Sequence, residues 1–245
     1  MGSRSDDARR LLLWDEILRR AEVEGADAGV RHACEVARDV LAADGVVLYE
    51  AVDPVTAEPV ATAGDGAARL AEAEITVGEG PALDAIAGEY PVLVHDVDAV
   101  DRFVRWPAFA PQALVGGVRA VAAFPVVMGA VVVGCLEVHH RAPVDLGADR
   151  IVDGLLLADA ALALMLHGAP RAPGADPVLA RWVTVRQAAD AVAVQLGCDP
   201  ATALLRLRAH AYSTDRWLGD VAEDVAAWRL LFAPEADAQS ERGQG

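Results

Sequence analysis

The stretch RAVAAFPVVMGAVVVGCLEVH, residues 119–139, has the clearest strand pattern in this sequence. Two valine-rich runs, Arg119 to Val127 and Ala130 to His139, are joined across Met128 and Gly129. β-Branched residues on both sides of a glycine turn are typical of a β-hairpin, and runs this apolar are typical of strands buried on both faces. We therefore expect this hairpin to form the centre of a sheet.

The same region contains the longest uncharged hydrophobic run of the chain, from Ala120 to Leu136. Its 17 residues contain Pro125, Gly129 and Gly134 and are rich in valine, which is typical of a strand, a turn and a second strand and not of a membrane-spanning helix. The N-terminus has charged residues around a short apolar group, so it lacks the uninterrupted apolar segment of a signal peptide. Together these features predict a cytoplasmic protein.

Shorter strands and amphipathic helices surround the hairpin within residues 1–167. Short β-branched runs separated by turn-forming residues predict an antiparallel meander, and apolar residues at intervals of three and four predict helices. The result is an α+β domain with helices flanking an antiparallel sheet. The predicted strands are 46–52, 59–63, 73–77 and 92–94, and the predicted helices are 8–24, 28–42, 111–115 and 148–166, with a short one from the 78–81 turn to residue 87.

A linker separates this domain from a smaller helical one. Residues 168–177 contain three prolines and two glycines, and helical periodicity then predicts helices over 178–196, 200–212 and 217–231. Asp199 is a good N-cap, with Pro200 at the first helical position. We expect an all-α three-helix bundle over 178–232 and a disordered tail over 233–245. One face of its last helix is apolar and consists of Leu218, Val221, Ala222, Val225 and Trp228.

The charge of the chain is strongly negative and unevenly distributed. All 21 basic residues are arginine, and 37 acidic residues bring the formal net charge to −16. A chain with this charge is repelled by nucleic acid at long range, and the absence of lysine excludes Schiff-base and P-loop chemistry. Residues 1–168, however, carry 13 arginines against 27 acids, whereas residues 169–245 carry 8 against 10. The acidity therefore belongs to the first domain.

Catalytic and metal-binding motifs are not found in the sequence. It contains no GxSxG, HExxH or EF-hand pattern, so we expect no catalytic residues, no metal site and no cofactor. His139 and His140 are adjacent on a strand, which favours exposed or capping roles over a shared metal. His95 with Asp96 suits a polar pair at a strand end better than an acid–base pair. The three cysteines, Cys34, Cys135 and Cys198, are interpreted as buried thiols, with a redox sensor as the alternative.

The Gly78-Glu79-Gly80-Pro81 turn precedes a predicted helix and has two interpretations. The free N–H groups of a helix N-terminus can bind an anion. Glycines of this kind can equally serve only to reverse the chain.

The middle helix of the C-terminal domain has residues suited to RNA. With Leu204, Leu207 and Ala211 facing inward, its other surface carries two arginines and an aromatic residue, and Arg216 follows in the turn. Guanidinium and aromatic groups bind phosphates and stack on unpaired bases of RNA loops. A merely solvated helix face is the alternative.

Two segments resemble known domain families. The C-terminal segment resembles an ANTAR domain, a three-helix RNA-binding module of bacterial antiterminators, in Gln187-Ala188, Val194 to Gly197, Ala203-Leu204, Arg206 to Tyr212, Asp220 to Ala222 and Arg229-Leu230. The first domain is similar to a GAF domain in Gly78 to Pro81, Arg105 to Pro107, Gly117 to Arg119 and the Phe124-Pro125 hairpin that ends near Gly134. This order of domains resembles that of actinobacterial GAF–ANTAR regulators.

The resemblance implies a homodimeric, signal-responsive regulator of transcription antitermination, whose second domain binds paired hairpin loops in nascent RNA. It implies dimerisation through the helices at 8–24 and 148–166. The alternative is a dimeric sensor or scaffold whose helical bundle contacts protein and not RNA. The implied RNA-binding residues are Arg206, Arg208, Ala209, His210, Tyr212 and Arg216.

Some positions depart from the two family patterns. Asp190, Trp228 and Leu231 lower the positive charge expected on the RNA surface. In the GAF domain, Ala82 follows the Gly-Pro turn and no cysteine for a bilin stands in this region. The signal ligand is therefore unknown, and we expect any pocket to be lined by the strands between 120 and 138.

Overall fold

The centre of the fold is a five-stranded antiparallel sheet. Its strands are β1 Gly45–Asp53, β2 Thr56–Gly64, β3 Val92–Val94, β4 Ala120–Met128 and β5 Val131–His140, in the spatial order β2-β1-β5-β4-β3. The predicted hairpin lies where it was expected, because β4 and β5 pair from Ala120 opposite His140 to Met128 opposite Val131. With helices on both faces and more helices after the sheet, the predicted α+β class is confirmed.

The structure is a computed structural model that describes residues 3–53, 56–99, 104–167 and 177–233. The chain divides into two compact units, Met1–Ala180 and Arg181–Gly245. Most of the predicted linker, 168–177, and of the predicted tail, 233–245, lies outside the described residues. Among the described helices, none has the length and apolar character needed to cross a membrane. The helices include α1 Ser3–Glu24, α2 Val30–Val40, α3 Ala67–Val77, α4 Pro81–Gly88, α5 Phe109–Val115, α6 Ala148–His167, α7 Pro177–Leu196, α8 Pro200–Ser213 and α9 Leu218–Ala226.

One face of the sheet packs against α1, α2 and α6 and encloses the main apolar core. Alternate strand residues point to this face, as the period of a strand requires. Phe124 of β4 and Leu157 of α6 are fully buried there. Gly154 of α6 lies so close to the Phe124 ring that a Cβ at position 154 would be 2.3 Å from Phe124 Cζ. The missing side chain therefore allows α6 to pack on the sheet.

We expect Gly154→Ala to lower the free energy of unfolding by about 1–3 kcal/mol, because the added methyl group forces the buried Phe124 ring to move. Urea denaturation measures this change. Gly147→Ala is the matched control, since a Cβ at position 147 meets nothing within 4 Å. Equal stability of the two variants would contradict the close packing.

The opposite face of the sheet carries α3 and α4, and α5 lies beside α3. Residues 73–77, predicted as a strand, form the C-terminal half of α3, so that prediction was wrong. The β-branched residues at 75–77 produced the strand pattern, but alanine and glutamate before them favour a helix. Gly66 and Gly78 bound this helix with φ values of 79° and 75°, which glycine adopts without steric cost.

The second unit contains α8, α9 and nearly all of α7. Leu207 and Leu218 are fully buried in it. The predicted helix over 217–231 ends at Ala226, so Trp228, predicted on its apolar face, lies beyond the helix and is 72% exposed with a φ of 59°. The N–H groups of Arg229 and Leu230 both donate to the Asp224 carbonyl, at 2.8 and 3.1 Å. These bonds turn the chain through a left-handed residue, as commonly happens at a helix C-terminus.

Candidate functional site

The residues predicted to contact RNA lie on α8 and in the turn after it. The helix begins at its predicted N-cap, where the Asp199 carboxylate accepts a hydrogen bond from the Thr202 N–H at 2.9 Å. Its buried residues are Ala203, Leu207 and Ala211, four positions apart. The other side of α8 therefore faces outward.

The two arginines of α8 lie on different flanks of its exposed face. That face is centred on Leu205, Ala209 and Tyr212, which are exposed. Because successive helical residues are about 100° apart, Arg206 and Arg208 are about 200° apart around the helix axis. Arg206 is exposed, whereas Arg208 is half-buried, and this burial lowers the pKa of its guanidinium group. The structure thus does not combine them into one patch.

His210 packs against the end of the second unit. Its ring makes an edge-on contact with the Phe232 ring, with 5.5 Å between centroids. The Phe232 N–H donates to Gln195 Oε1 at 2.8 Å, which ties the same segment to α7. His210 is half-buried, so of the predicted contact residues it has the clearest packing role.

Arg216 is held by an acidic partner that was not predicted from the sequence. Its guanidinium group lies 2.7 Å from Asp224 Oδ2, and Arg229 lies 2.7 Å from Asp224 Oδ1. Hydrogen bonds from Arg216 and then Arg229 lower the pKa of the Asp224 carboxyl. Arg216 and Asp224 are eight residues apart and joined across a turn, so helical spacing does not reveal the pair. One carboxylate thus holds two arginines beside α9.

In the first unit, the turn at Gly78 to Pro81 forms a helix N-terminus that is already occupied. Glu74 Oε1 accepts hydrogen bonds from the Ala82 N–H at 2.7 Å and the Leu83 N–H at 3.4 Å. Gly80 permits this approach, because a Cβ there would lie 2.2 Å from Glu74 Oε1. The N–H groups that were considered for an external anion therefore bind the chain's own carboxylate.

A second glutamate holds the neighbouring helix in the same manner. Glu79 Oε1 accepts hydrogen bonds from the N–H groups of Ala108 and Phe109, at 2.5 and 2.9 Å. Asp84 of α4 binds Arg105 at 2.6 Å and the indole N–H of Trp106 at 3.1 Å. These contacts fasten α4 and the start of α5 to each other.

A buried acidic cluster lies between α3 and the sheet. Tyr49 of β1 and Glu137 of β5 lie on its sheet side, and Glu74 lies on its helix side. The Tyr49 hydroxyl oxygen is 3.0 Å from Glu74 Oε2 and 3.0 Å from Glu137 Oε2. Both carboxyl side chains are fully buried. Glu137 Oε1 has no hydrogen-bond partner among the described residues.

Burial dominates the protonation of this cluster. It raises the pKa of Glu74 to about 7, although hydrogen bonds from Ala82 and Tyr49 oppose the rise. Burial and the adjacent Glu74 raise the pKa of Glu137 well above its ordinary value. Burial also raises the pKa of the Cys135 thiol. Reactive cysteines have a lowered pKa instead, so Cys135 does not have the character of a reactive thiolate. The cluster therefore favours at least one neutral carboxyl group.

The other side chains considered from the sequence take structural positions. His139 and His140 are buried, which corrects the expected exposed or capping roles, and burial lowers the pKa of both. Asp96 pairs with Arg119 at 3.0 Å. Within the ranges that the structure describes, no three His, Cys, Asp or Glu side chains are grouped as metal ligands.

Two of the three cysteines are buried, and a small cavity lies beside the sheet. Cys34 and Cys135 are buried as predicted, whereas Cys198 is half-buried. A cavity of about 50 Å³ lies beside β3 and β4. Of the strand residues 120–138, which were expected to line a pocket, only Ala120, Val121 and Ala122 line this cavity. This volume suits one or two water molecules.

Comparison with known proteins identifies the first unit. The model of the GAF domain matches residues 26–167, which is more than half of the chain, and the chain belongs to the GAF domain family. α8 and α9 lie outside the matched residues. Membership of this family makes the matched region a signal-sensing domain. No curated protein matches the chain.

Two solved structures illustrate the similarity. The GAF domain of a phosphoenolpyruvate-protein phosphotransferase from Coxiella burnetii is 18% identical, with a TM-score of 0.47 and coverage of 64% of this chain and 95% of that one. The GAF domain of the Acinetobacter phosphoenolpyruvate-protein phosphotransferase is 14% identical, with a TM-score of 0.47 and coverage of 64% and 93%.

The raised pKa of Glu74 predicts a pH-dependent stability. The folded state binds this proton more tightly than the unfolded state does, so the stabilisation is complete below the ordinary pKa of 4.5 and is lost as the pH rises to about 7. Relative to Glu74→Gln, the wild type should lose about 3 kcal/mol of unfolding free energy over this range. Urea denaturation at several pH values measures the difference.

Glu79→Gln is the control, because Glu79 also holds a helix N-terminus but stands outside the buried cluster. The pH-dependent difference that Glu74→Gln produces should persist when Glu79→Gln is also present. Parallel wild-type and Glu74→Gln curves would show that Glu74 titrates normally.

Proposed function

We propose that the chain is a cytoplasmic, homodimeric regulator, not an enzyme, in which the GAF domain controls an ANTAR-like RNA-binding unit. The second unit binds hairpin loops in nascent RNA and so prevents a terminator from forming. The resemblance of residues 187–230 to the ANTAR pattern supports this assignment, and the GAF membership of residues 26–167 supports the sensory part.

The observation that carries the proposal is the exposed face of α8. Tyr212, which is 59% exposed, supplies a ring for stacking on an unpaired base, and Arg206 and Arg208 border the face on either side. Arginines on two flanks can contact two phosphate strands of one loop, with Tyr212 between them. Ala209 at the centre lets a base approach the helix closely.

The charge distribution agrees with such a role. Residues 169–245 have a net charge of −2, whereas residues 1–168 have a net charge of −14. Asp224 already binds Arg216 and Arg229 in the free protein, so these two arginines contribute less to phosphate binding than their number suggests. RNA recognition therefore depends mainly on α8, and the acidic first domain suppresses non-specific binding.

Single substitutions on α8 should weaken RNA binding in distinguishable ways. Tyr212→Ala removes a stacking contact and should cost about 1–3 kcal/mol at any salt concentration. Arg206→Ala or Arg208→Ala should weaken binding and reduce the salt dependence by about one released counterion each. Fluorescence anisotropy with a dual-hairpin RNA at several salt concentrations measures both effects.

Arg69→Ala is the matched control, since Arg69 is an exposed arginine of α3 in the first unit. It removes the same charge and should leave affinity nearly unchanged. If the wild type binds no hairpin RNA in any signal state, or if Arg69→Ala weakens binding as much as the α8 variants do, the assignment is wrong.

A second candidate function is protein contact through α8. Leu205, at the centre of the exposed face, is 58% exposed, and an exposed leucine beside Tyr212 and Ala209 also suits a protein partner. In that case the C-terminal unit serves assembly, and RNA binding is absent.

Oligomeric state separates the two candidates. Leu13 and Ile17 of α1 are buried, but Leu11 and Leu18, seven residues apart, are 71% and 54% exposed, which suits a dimer contact along α1. We expect Leu11→Glu with Leu18→Glu to give monomers in light scattering, and Leu205→Glu to leave the dimer intact. The opposite pattern would favour assembly through α8. Val115→Glu, at an exposed valine outside both surfaces, controls for the added charge.

A further inference from the structure

The two short contacts of the Tyr49 hydroxyl group show that the buried acidic cluster holds a proton. Tyr49 Oη lies 3.0 Å from an oxygen of Glu74 and 3.0 Å from an oxygen of Glu137, but its hydroxyl has one hydrogen to donate. The second contact needs a carboxyl hydrogen that donates to Tyr49 Oη. At least one of the two glutamates is therefore protonated in this arrangement.

The surroundings identify the protonated residue as Glu137. Glu74 Oε1 accepts the N–H groups of Ala82 and Leu83 at the positive end of α4, where a carboxylate is favoured. Glu137 Oε1 is buried without a partner among the described residues, which is far less costly for a neutral carboxyl than for a charged one. Glu137 therefore donates its carboxyl hydrogen to the Tyr49–Glu74 pair, and α4 donates to Glu74 from the other side.

We propose that Tyr49, Glu74 and Glu137 form a proton-binding site, and that release of its last proton to solvent detaches α3 and α4 from the sheet. Without that proton, two carboxylates face each other with one hydroxyl hydrogen between them. Glu137 is fixed on the central strand β5, so the repulsion is relieved by movement of Glu74 and the helices that it holds. The proposal is independent of RNA binding.

The groups around Glu74 and Glu137 include no cationic side chain among those named below, so the bound proton is the main source of positive charge for the two carboxyl groups. β1 contributes Tyr49 and β5 contributes Cys135, and burial raises the pKa of both. β4 places Ala123 opposite Glu137. α4 contributes backbone N–H groups, while its Asp84 is turned to Arg105. The raised pKa values of Glu74 and Glu137 agree with a proton held at neutral pH.

Amide hydrogen exchange of the full-length protein tests the proposal by NMR. The Ala82 and Leu83 amides report on the Glu74 contact, and the Ala108 and Phe109 amides report on the equivalent Glu79 contact. After correction for intrinsic chemistry, exchange at Ala82 and Leu83 should accelerate by up to about tenfold per pH unit as the pH rises above neutrality and the last proton leaves. Exchange at Ala108 and Phe109 should stay constant.

Glu137→Gln replaces the protonated carboxyl with a neutral group that always carries hydrogen-bond donors. It should remove the pH-dependent acceleration at Ala82 and Leu83. An acceleration of equal size in wild type and variant, or one shared by Ala108 and Phe109, would overturn the proposal. So would failure of Glu137→Gln to fold at neutral pH, because a neutral isostere should replace a neutral carboxyl. Infrared spectra of the wild type, which should show the carbonyl stretch of a protonated carboxyl at neutral pH, provide a second test.

Discussion

The buried contact of two glutamates with one tyrosine is the constraint on which the packing of α3 and α4 against the sheet depends. Glu74 and Glu137 are fully buried, and each lies 3.0 Å from the Tyr49 hydroxyl oxygen. Such a pair is stable only if hydrogen-bond donors surround it and at least one carboxyl is neutral. The N-terminus of α4 supplies two of these donors, and Gly80 supplies the space for them. The position of α4 thus follows from the need to satisfy Glu74.

This arrangement also argues against an external anion site at the Gly78–Pro81 turn. A helix N-terminus after a glycine turn is a common anion site, but here an internal carboxylate occupies it. The neighbouring Glu79 does the same for α5. The sensory unit therefore contains its own anions at two helix N-termini. An external anion could bind either helix N-terminus only by displacing the glutamate that occupies it.

Much of the fold could be predicted from the sequence because it is encoded locally. The β4–β5 hairpin and the α8 N-cap at Asp199 depend on residues adjacent in the chain. The prediction of a strand over residues 73–77 was wrong because the helix that contains them ends in β-branched residues. This helix is buried on nearly all sides, so its sequence lacks the alternation of apolar and polar residues that marks an amphipathic helix. Trp228 was placed in a helix that ends two residues earlier.

The site was harder to predict, because its contacts join distant residues. Tyr49 is 25 positions from Glu74 and 88 from Glu137, so no spacing rule connects them. On α8, by contrast, helical geometry was sufficient to place Arg206 and Arg208 on opposite flanks, although they had been grouped as one surface. The pairing of Arg216 with Asp224 could not be predicted, because it depends on the conformation of the turn before α9.

We infer that the Tyr49 cluster holds a proton at neutral pH. Carbon-13 NMR of side-chain-labelled glutamate, with Glu74→Gln and Glu137→Gln used for assignment, measures it directly. Glu74 should titrate at about pH 7 and Glu137 should stay protonated through neutrality. If both carboxyls titrate near the ordinary value of 4.5, the pair is not the buried, proton-holding contact described for this protein.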